Sequence, residues 1–218
     1  MYLLEGNIGV GKSTFLKLLG QQLPEISVIP EPKDSWACAV QGQSLLDNFY
    51  KDPKRWAYTI ETLASACRIK DHIRLQKEAN PNRIMERSVY SGHYCFARNG
   101  REEGYVTDVE WNMYNQWADF LIHNRCSPPK GFIYLKADPE VCFSRISKRN
   151  RKSEESISFD YITKIGTMHD QFLIDKHNVH QQIKNIPVLI IDANNCFVDN
   201  QNEADRRIDL VKSFLKET

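Results

Sequence analysis

Short apolar runs alternate with long segments in which apolar residues recur every three or four positions. The runs are YLLEG (2–6), ISVIPE (26–31), RIMER (83–87), FIYLKA (132–137) and PVLIID (187–192). They are rich in β-branched or large apolar residues, and most end at a polar residue or a turn, which predicts five strands. Helical periodicity covers 12–23, 56–78, 90–99, 108–123, 139–149, 161 to about 184, and 202–216. Strand and helix alternate, so the pattern predicts an α/β fold with a parallel sheet and helices on both faces. Ligands bind such sheets at the carboxyl ends of the strands. The strand-end polar residues Glu5, Glu31, Glu86, Arg87, Asp138 and Asp192 are therefore the first candidates for chemistry.

The stretch GNIGVGKS (6–13) joins the first strand to the first helix and fits G-x-x-x-x-G-K-[ST]. Its glycines let backbone N–H groups converge on phosphate oxygens, beside the positive end of the following helix. Gly6, Asn7, Gly9, Gly11, Lys12, Ser13 and Thr14 are the expected contacts to a nucleotide donor. Lys12 would bridge its β- and γ-phosphates, and the Ser13 hydroxyl would ligate Mg²⁺. A glycine-rich turn without a ligand is the alternative. The D-x-x-G and N-K-x-D motifs of a GTPase switch do not occur. With 218 residues the chain suits one domain and leaves little room for a motor's coupled domains, so a small phosphotransferase is expected.

Such an enzyme needs an acceptor side. Glu31 lies between two prolines at the end of the second strand and could accept a proton from a hydroxyl. Glu86 and Arg87 end the third strand, suited to holding hydrated Mg²⁺ and a phosphoryl oxygen. The stretch SRISKRNRKSEES (144–156) carries Arg145, Lys148, Arg149, Arg151 and Lys152. It reads either as a solvated helix end or as a mobile lid, over roughly 145–158, that brings arginines to the transferred group.

Composition narrows the classes further. A net charge of +1 argues against a surface built to track nucleic acid, and no apolar run approaches the roughly 20 residues of a membrane span. The six cysteines form no C-x-x-C pair and no zinc-type spacing, so free thiols in a reducing cytoplasm are expected. The chain opens on its first strand, so no leader is expected.

These motifs resemble one family. EGNIGVGKSTF, EP followed by Trp36, YKDPKRWAYTIETLASACRI, ERSVYSGHYCFARN, IYLKADPEVCFSRI, the basic stretch and PVLIIDANNCF match nearly end to end. The chain resembles deoxynucleoside kinases of the deoxycytidine, deoxyguanosine, mitochondrial thymidine and insect multisubstrate type. The resemblance implies a P-loop kinase fold with a five-stranded parallel sheet, a homodimer, Mg·ATP as donor and a deoxynucleoside as acceptor. Glu31 would be the general base for the 5′-hydroxyl, Arg87 would sit by that hydroxyl and the phosphoryl group, and Glu86 would lie near Mg²⁺. Tyr50 and Glu154 would hold the 3′-hydroxyl, with Glu155 as the neighbouring alternative. Trp36 and Phe96 would enclose the base. Arg145 and Arg149, with Arg151 as a further candidate, would be the lid arginines, and Asn195 and Phe197 would lie beside the donor adenine.

Three positions depart from the family's usual residues. Glu61 stands where a base-reading glutamine is usual, Gly92 where an acid partners the arginine equivalent to Arg68, and Lys33 where an apolar residue is usual. An ionised carboxylate only accepts hydrogen bonds. Glu61, the Arg68 that Gly92 leaves free to donate, and Lys33 as a second donor are therefore all expected to favour an oxo-base, thymidine or deoxyguanosine, unless Lys33 or Arg68 instead neutralises Glu61. A deoxyadenosine- or deoxycytidine-preferring or broad-specificity kinase is the alternative. The other rivals are a nucleoside monophosphate kinase and, from another class, a nucleotide-binding regulatory protein without turnover.

Overall fold

The structure is a computed structural model, and it describes residues 1–32, 44–78, 82–151, 154–197 and 200–218. Five parallel strands form one sheet in the order β2-β3-β1-β4-β5: β1 Tyr2–Gly6, β2 Ser27–Ile29, β3 Arg83–Glu86, β4 Gly131–Lys136 and β5 Val188–Asp192. The central β1 is buried along its whole length, which is why it reads as a continuous apolar run rather than an alternating one. The edge strand β2 stops at Ile29, short of the expected end, because Pro30 has no N–H to continue a ladder.

Alternation along the strands divides the core. Tyr2, Leu4, Ile84, Ile133 and Leu135 face helices α1 (Lys12–Gln22) and α9 (Gln201–Glu217), meeting Phe15, Leu19, Ile208 and Phe214. Leu3, Met85, Phe132 and Tyr134 face the opposite layer, meeting Ile69 of α3 (Pro53–Leu75) and Tyr114 of α5 (Asp108–Arg125). Phe172 of α7 (Phe159–Leu173) joins that layer. A third cluster, built from Phe49, Ala57, Ile60, Ala64 and Val106, lies outside the sheet. It packs α2 (Leu45–Lys51) against α3 and forms one wall of the site described below.

The helices depart from expectation where side chains supply caps or breaks. The helix α2 was not foreseen; Ser44 starts it by accepting from Asp47 N. The α3 helix begins at Pro53, earlier than expected, with Asp52 as its cap. The helix α4 runs through Val89–Ser91, a π-helical stretch Gly92–Ala97, and Arg98–Glu102. The long helix expected from 161 to about 184 is two helices, α7 and the short α8 (Gln181–Lys184). Between them Lys176 and Asn178 take positive φ (54° and 53°), and His177 N bonds back to Gln171 O. That C-terminal reversal ends α7, and its cue in the sequence is the polar run DKHN. The helix α6 spans Pro139–Arg149 as expected.

Candidate active site

Every loop at the carboxyl end of β1, β2 and β3 contributes to one cavity of about 490 Å³. The loop after β1 is set by its glycines. Gly6, Gly9 and Gly11 have φ of 147°, 81° and 105°, and a Cβ on Gly9 would lie 2.4 Å from Cys142 O. Only glycine fits this path. Gly11 caps α1 without a side-chain bond, and the first turn of α1 holds no acid. Its N-terminal N–H groups are thus presented to an anion rather than to the protein's own carboxylates. Asn7 fixes the loop: its Nδ2 donates to Ile162 O (2.8 Å) and its Oδ1 accepts from Ile8 N (2.8 Å). Lys12 Nζ donates to Gly6 O (3.0 Å) and Asn7 O (2.7 Å). Gly9, Gly11, Lys12, Ser13 and Thr14 line the cavity.

Ser13 Oγ donates to Glu86 Oε1 at 2.8 Å. Two hard oxygen donors therefore adjoin at the phosphate end of the cavity, a set that suits Mg²⁺. Glu5, also at a strand end, is fully buried with no partner at hydrogen-bond geometry for either oxygen. Burial pushes its carboxyl up, against the pull of Arg87.

Farther in, three charged side chains meet. Arg68 Nη2 donates to Glu31 Oε1 at 2.6 Å, and Arg87 Nε lies 4.0 Å from Glu31 Oε2. Arg68 was expected to point at the base or to pair with Glu61; in the structure its close partner is Glu31. Arg87 sits just past β3 with φ 63°, a strained backbone for a side chain of this size, and its N–H bonds Leu4 O. Its guanidinium lies over the Phe96 ring at 4.6 Å. Glu61 Oε2 is buried without a hydrogen-bond partner. Burial raises its carboxyl to about 7; Arg68 and Arg87 pull the other way. The ionised form assumed from the sequence is thus only part of its population near neutral pH. Gly92 does not line the cavity, but a Cβ there would meet Arg68 Nη1 at 3.0 Å.

The outer wall is aromatic. Tyr50 of α2 meets Phe49 at 5.2 Å and Tyr161 at 6.2 Å between ring centres. Leu46, Phe49, Ile60, Ala64 and Tyr161 line the cavity and were not among the expected residues. The apolar spacing of LLDNFY was the available signal for the first two, since 46, 49 and 50 share a helix face. Trp36 and Lys33 lie outside the described residues.

The basic stretch divides. Arg149 and Arg151 line the cavity, and both engage Glu154: Arg149 by two bonds of 2.6 Å, Arg151 at 3.7 Å. Arg145 does not join them. Its guanidinium donates to Val10 O, Ala193 O and Asn194 O, tying the phosphate loop to the end of β5. Phe197 is buried against Phe15, its ring 3.6 Å from where a Gly11 Cβ would be, and Asn195 O accepts from Arg207. Arg145 and Phe197 thus pack against the phosphate loop, and neither they nor Asn195, Gly6 and Asn7 line the cavity.

The sequence matches the family described as deoxynucleoside kinase over residues 3–216. It is 35% identical to deoxycytidine kinase 2 of Gallus gallus, covering 97% of this chain and 89% of that protein. It is 36% identical to the mitochondrial deoxyguanosine kinase of Xenopus laevis, covering 97% and 88%. The probable deoxycytidine kinase of fowlpox virus is 35% identical, covering 98% and 87%. With a phosphate loop and a buried carboxylate–arginine pair facing one cavity, and near full-length similarity to these enzymes, the chain belongs to the deoxynucleoside kinase family.

Proposed function

We propose that this protein transfers the γ-phosphoryl group of Mg·ATP to the 5′-hydroxyl of a deoxyribonucleoside. The observation that carries the reading is the single cavity running from the phosphate loop to the buried Glu31 carboxylate. Its two ends supply the two halves of a transfer. The α1 N-terminus and Lys12 receive the donor phosphates, and Glu31 takes the proton from the attacking hydroxyl. Arg87, 4.0 Å from Glu31, meets negative charge as it spreads onto the phosphoryl oxygens. Ser13 and Glu86 would hold Mg²⁺, which when bound neutralises phosphate charge. Arg149 and Arg151 would exchange Glu154 for the phosphates as the lid closes, leaving Glu154 to the sugar 3′-hydroxyl beside Tyr50. Phe96 and Trp36 would enclose the base.

For the base, Glu61 is the reader. Ionised, it accepts from the ring N–H of thymine or guanine, so thymidine and deoxyguanosine are preferred above neutral pH. Protonated, it offers one donor and one acceptor, as a glutamine does, and admits cytosine and adenine. Its near-neutral titration supports both states within one protein.

The test is a kinase assay with Mg·ATP and each of the four deoxynucleosides, with the product identified as the 5′-monophosphate. Glu31→Gln is expected to lower kcat by roughly 10²- to 10⁴-fold, and to lower the melting temperature as well, because it removes the buried carboxylate that Arg68 pairs with. Turnover of monophosphates but not nucleosides, or no turnover at all, would overturn the reading.

A further inference from the structure

His169 of α7 is fully buried against the site and has no part in the scheme above. Its Nδ1 lies 2.7 Å from Ile165 O and its Nε2 lies 3.2 Å from Arg87 Nη1. A carbonyl oxygen only accepts, so Nδ1 must carry the proton. A guanidinium only donates, so Nε2 must offer its lone pair. The two bonds together admit one tautomer, the neutral imidazole protonated at Nδ1. The ring is held on two more sides, stacked on Tyr134 (10° between planes) and edge-on to Phe96 (88°). Tyr134 is itself fixed by donating to Asp170 Oδ1 at 2.8 Å.

Arg87 needs such a partner. Phe96 covers one face of its guanidinium, and Glu31 at 4.0 Å is too distant for a hydrogen bond that would fix its rotation. The bond from Nη1 to His169 supplies the missing constraint while leaving the other N–H groups of Arg87 for the cavity it lines. The same face of α7 also holds the phosphate loop. Ile162, Gly166 and His169 share it at i, i+4 and i+7; Ile162 O accepts from Asn7, and a Cβ on Gly166 would press Asn7 Nδ2 at 3.1 Å. One rigid helix thus sets the distance between the phosphate loop and Arg87.

We propose that His169 is a positioning residue for phosphoryl transfer: its Nε2 lone pair orients the Arg87 guanidinium in the cavity. The proposal rests on the assignment of Arg87 above. Burial, with Arg87 and Lys12 nearby, holds the imidazole well below its ordinary range, so it stays neutral under assay conditions.

The experiment compares His169→Leu, which removes the acceptor, with His169→Gln, whose amide oxygen restores one. Each is made in the wild-type and Arg87→Ala backgrounds and assayed with Mg·ATP and the nucleoside that wild type turns over fastest. His169→Leu is expected to lower kcat by roughly 10- to 100-fold while KM for Mg·ATP moves less than about threefold. His169→Gln is expected to recover most of that loss. In the Arg87→Ala background His169→Leu should change kcat less than about twofold, because the interaction it removes is already gone. Imidazole ¹⁵N spectra of the unmutated protein should show a protonated Nδ1 and a bare Nε2, with the Nε2 resonance shifted in Arg87→Ala. These spectra decide the matter even if the leucine variant fails to fold. A full His169→Leu effect in the Arg87→Ala background, no effect in the wild-type background, or an Nε2-protonated ring overturns the proposal. Wild-type kcat in Arg87→Ala instead overturns the assignment of Arg87 itself.

Discussion

At the scale of single residues, the site's behaviour turns on Glu61, a carboxylate buried without a hydrogen-bond partner for Oε2. Its folded-state titration near 7 lies above its ordinary value of 4.5. The folded protein therefore binds this proton more tightly than the unfolded chain does. The stability this gives is complete below about pH 4.5 and is lost as pH rises through about 7, a difference of roughly 3 kcal/mol. Glu61→Gln is expected to remove that slope and to raise the melting temperature at pH 8, as calorimetry between pH 5 and 8 would show. In wild type, the kcat/KM ratio of thymidine to deoxycytidine should climb between pH 6 and 8, and in Glu61→Gln it should stay flat. Gly92 is the second such residue. An aspartate there would place a carboxylate beside Arg68 Nη1 and compete with Glu31 for it. Gly92→Asp is expected to replace the 2.6 Å Arg68–Glu31 bond with an Arg68–Asp pair in a crystal structure. The added acceptor should move the deoxycytidine-to-thymidine ratio up by about tenfold.

The secondary-structure elements explain what could be read in advance. The phosphate loop was legible because its chemistry is local: three glycines, a lysine and a serine at fixed spacing on one turn. Glu31, Glu86 and Arg87 were legible because a parallel sheet brings its strand ends together whatever the loops do. Arg68 was not, because its partner depends on which acid is within reach in three dimensions, and Gly92 supplies none. His169 lies 82 residues from Arg87 in sequence, and nothing in its own helix marks it as more than a core histidine. The break after α7 was hidden by a helical periodicity that continues across it. A test at this scale addresses the loop. Gly9→Ala forces a side chain into positive φ and against Cys142 O, so it should lower the melting temperature by roughly 5 °C or more. It should also abolish the stabilisation that Mg·ATP gives wild type, read by thermal melting with and without nucleotide.

For the whole molecule, α5 leaves Val109, Met113 and Phe120 exposed (68%, 55% and 54%) along one face, and α3 beside it exposes Leu63. A stripe of this kind fits the expected second copy of the chain. Paired substitution Met113→Lys and Phe120→Lys is expected to convert a dimer to a monomer in analytical ultracentrifugation. A wild-type monomer at assay concentrations would overturn the expectation of a dimer.

The strand order has a consequence for how such an enzyme can be altered. β1 lies at the centre: the end of β3 and the loops after β2 and β3 carry Glu31, Glu86 and Arg87, while the chain after β4 and β5 carries Arg145, Asn195 and Phe197. The positions proposed to read the base, Glu61 and Gly92, thus follow strands on one side of β1, the residues expected beside the donor follow strands on the other, and the proposed sugar contact Glu154 comes from the β4 side. Changes to Glu61 or Gly92, which sit on helices beside β2 and β3, can be combined with changes around Arg145 with nearly additive effects, because they share no partner. Such a molecule is expected to take a new base without a change in its triphosphate donor.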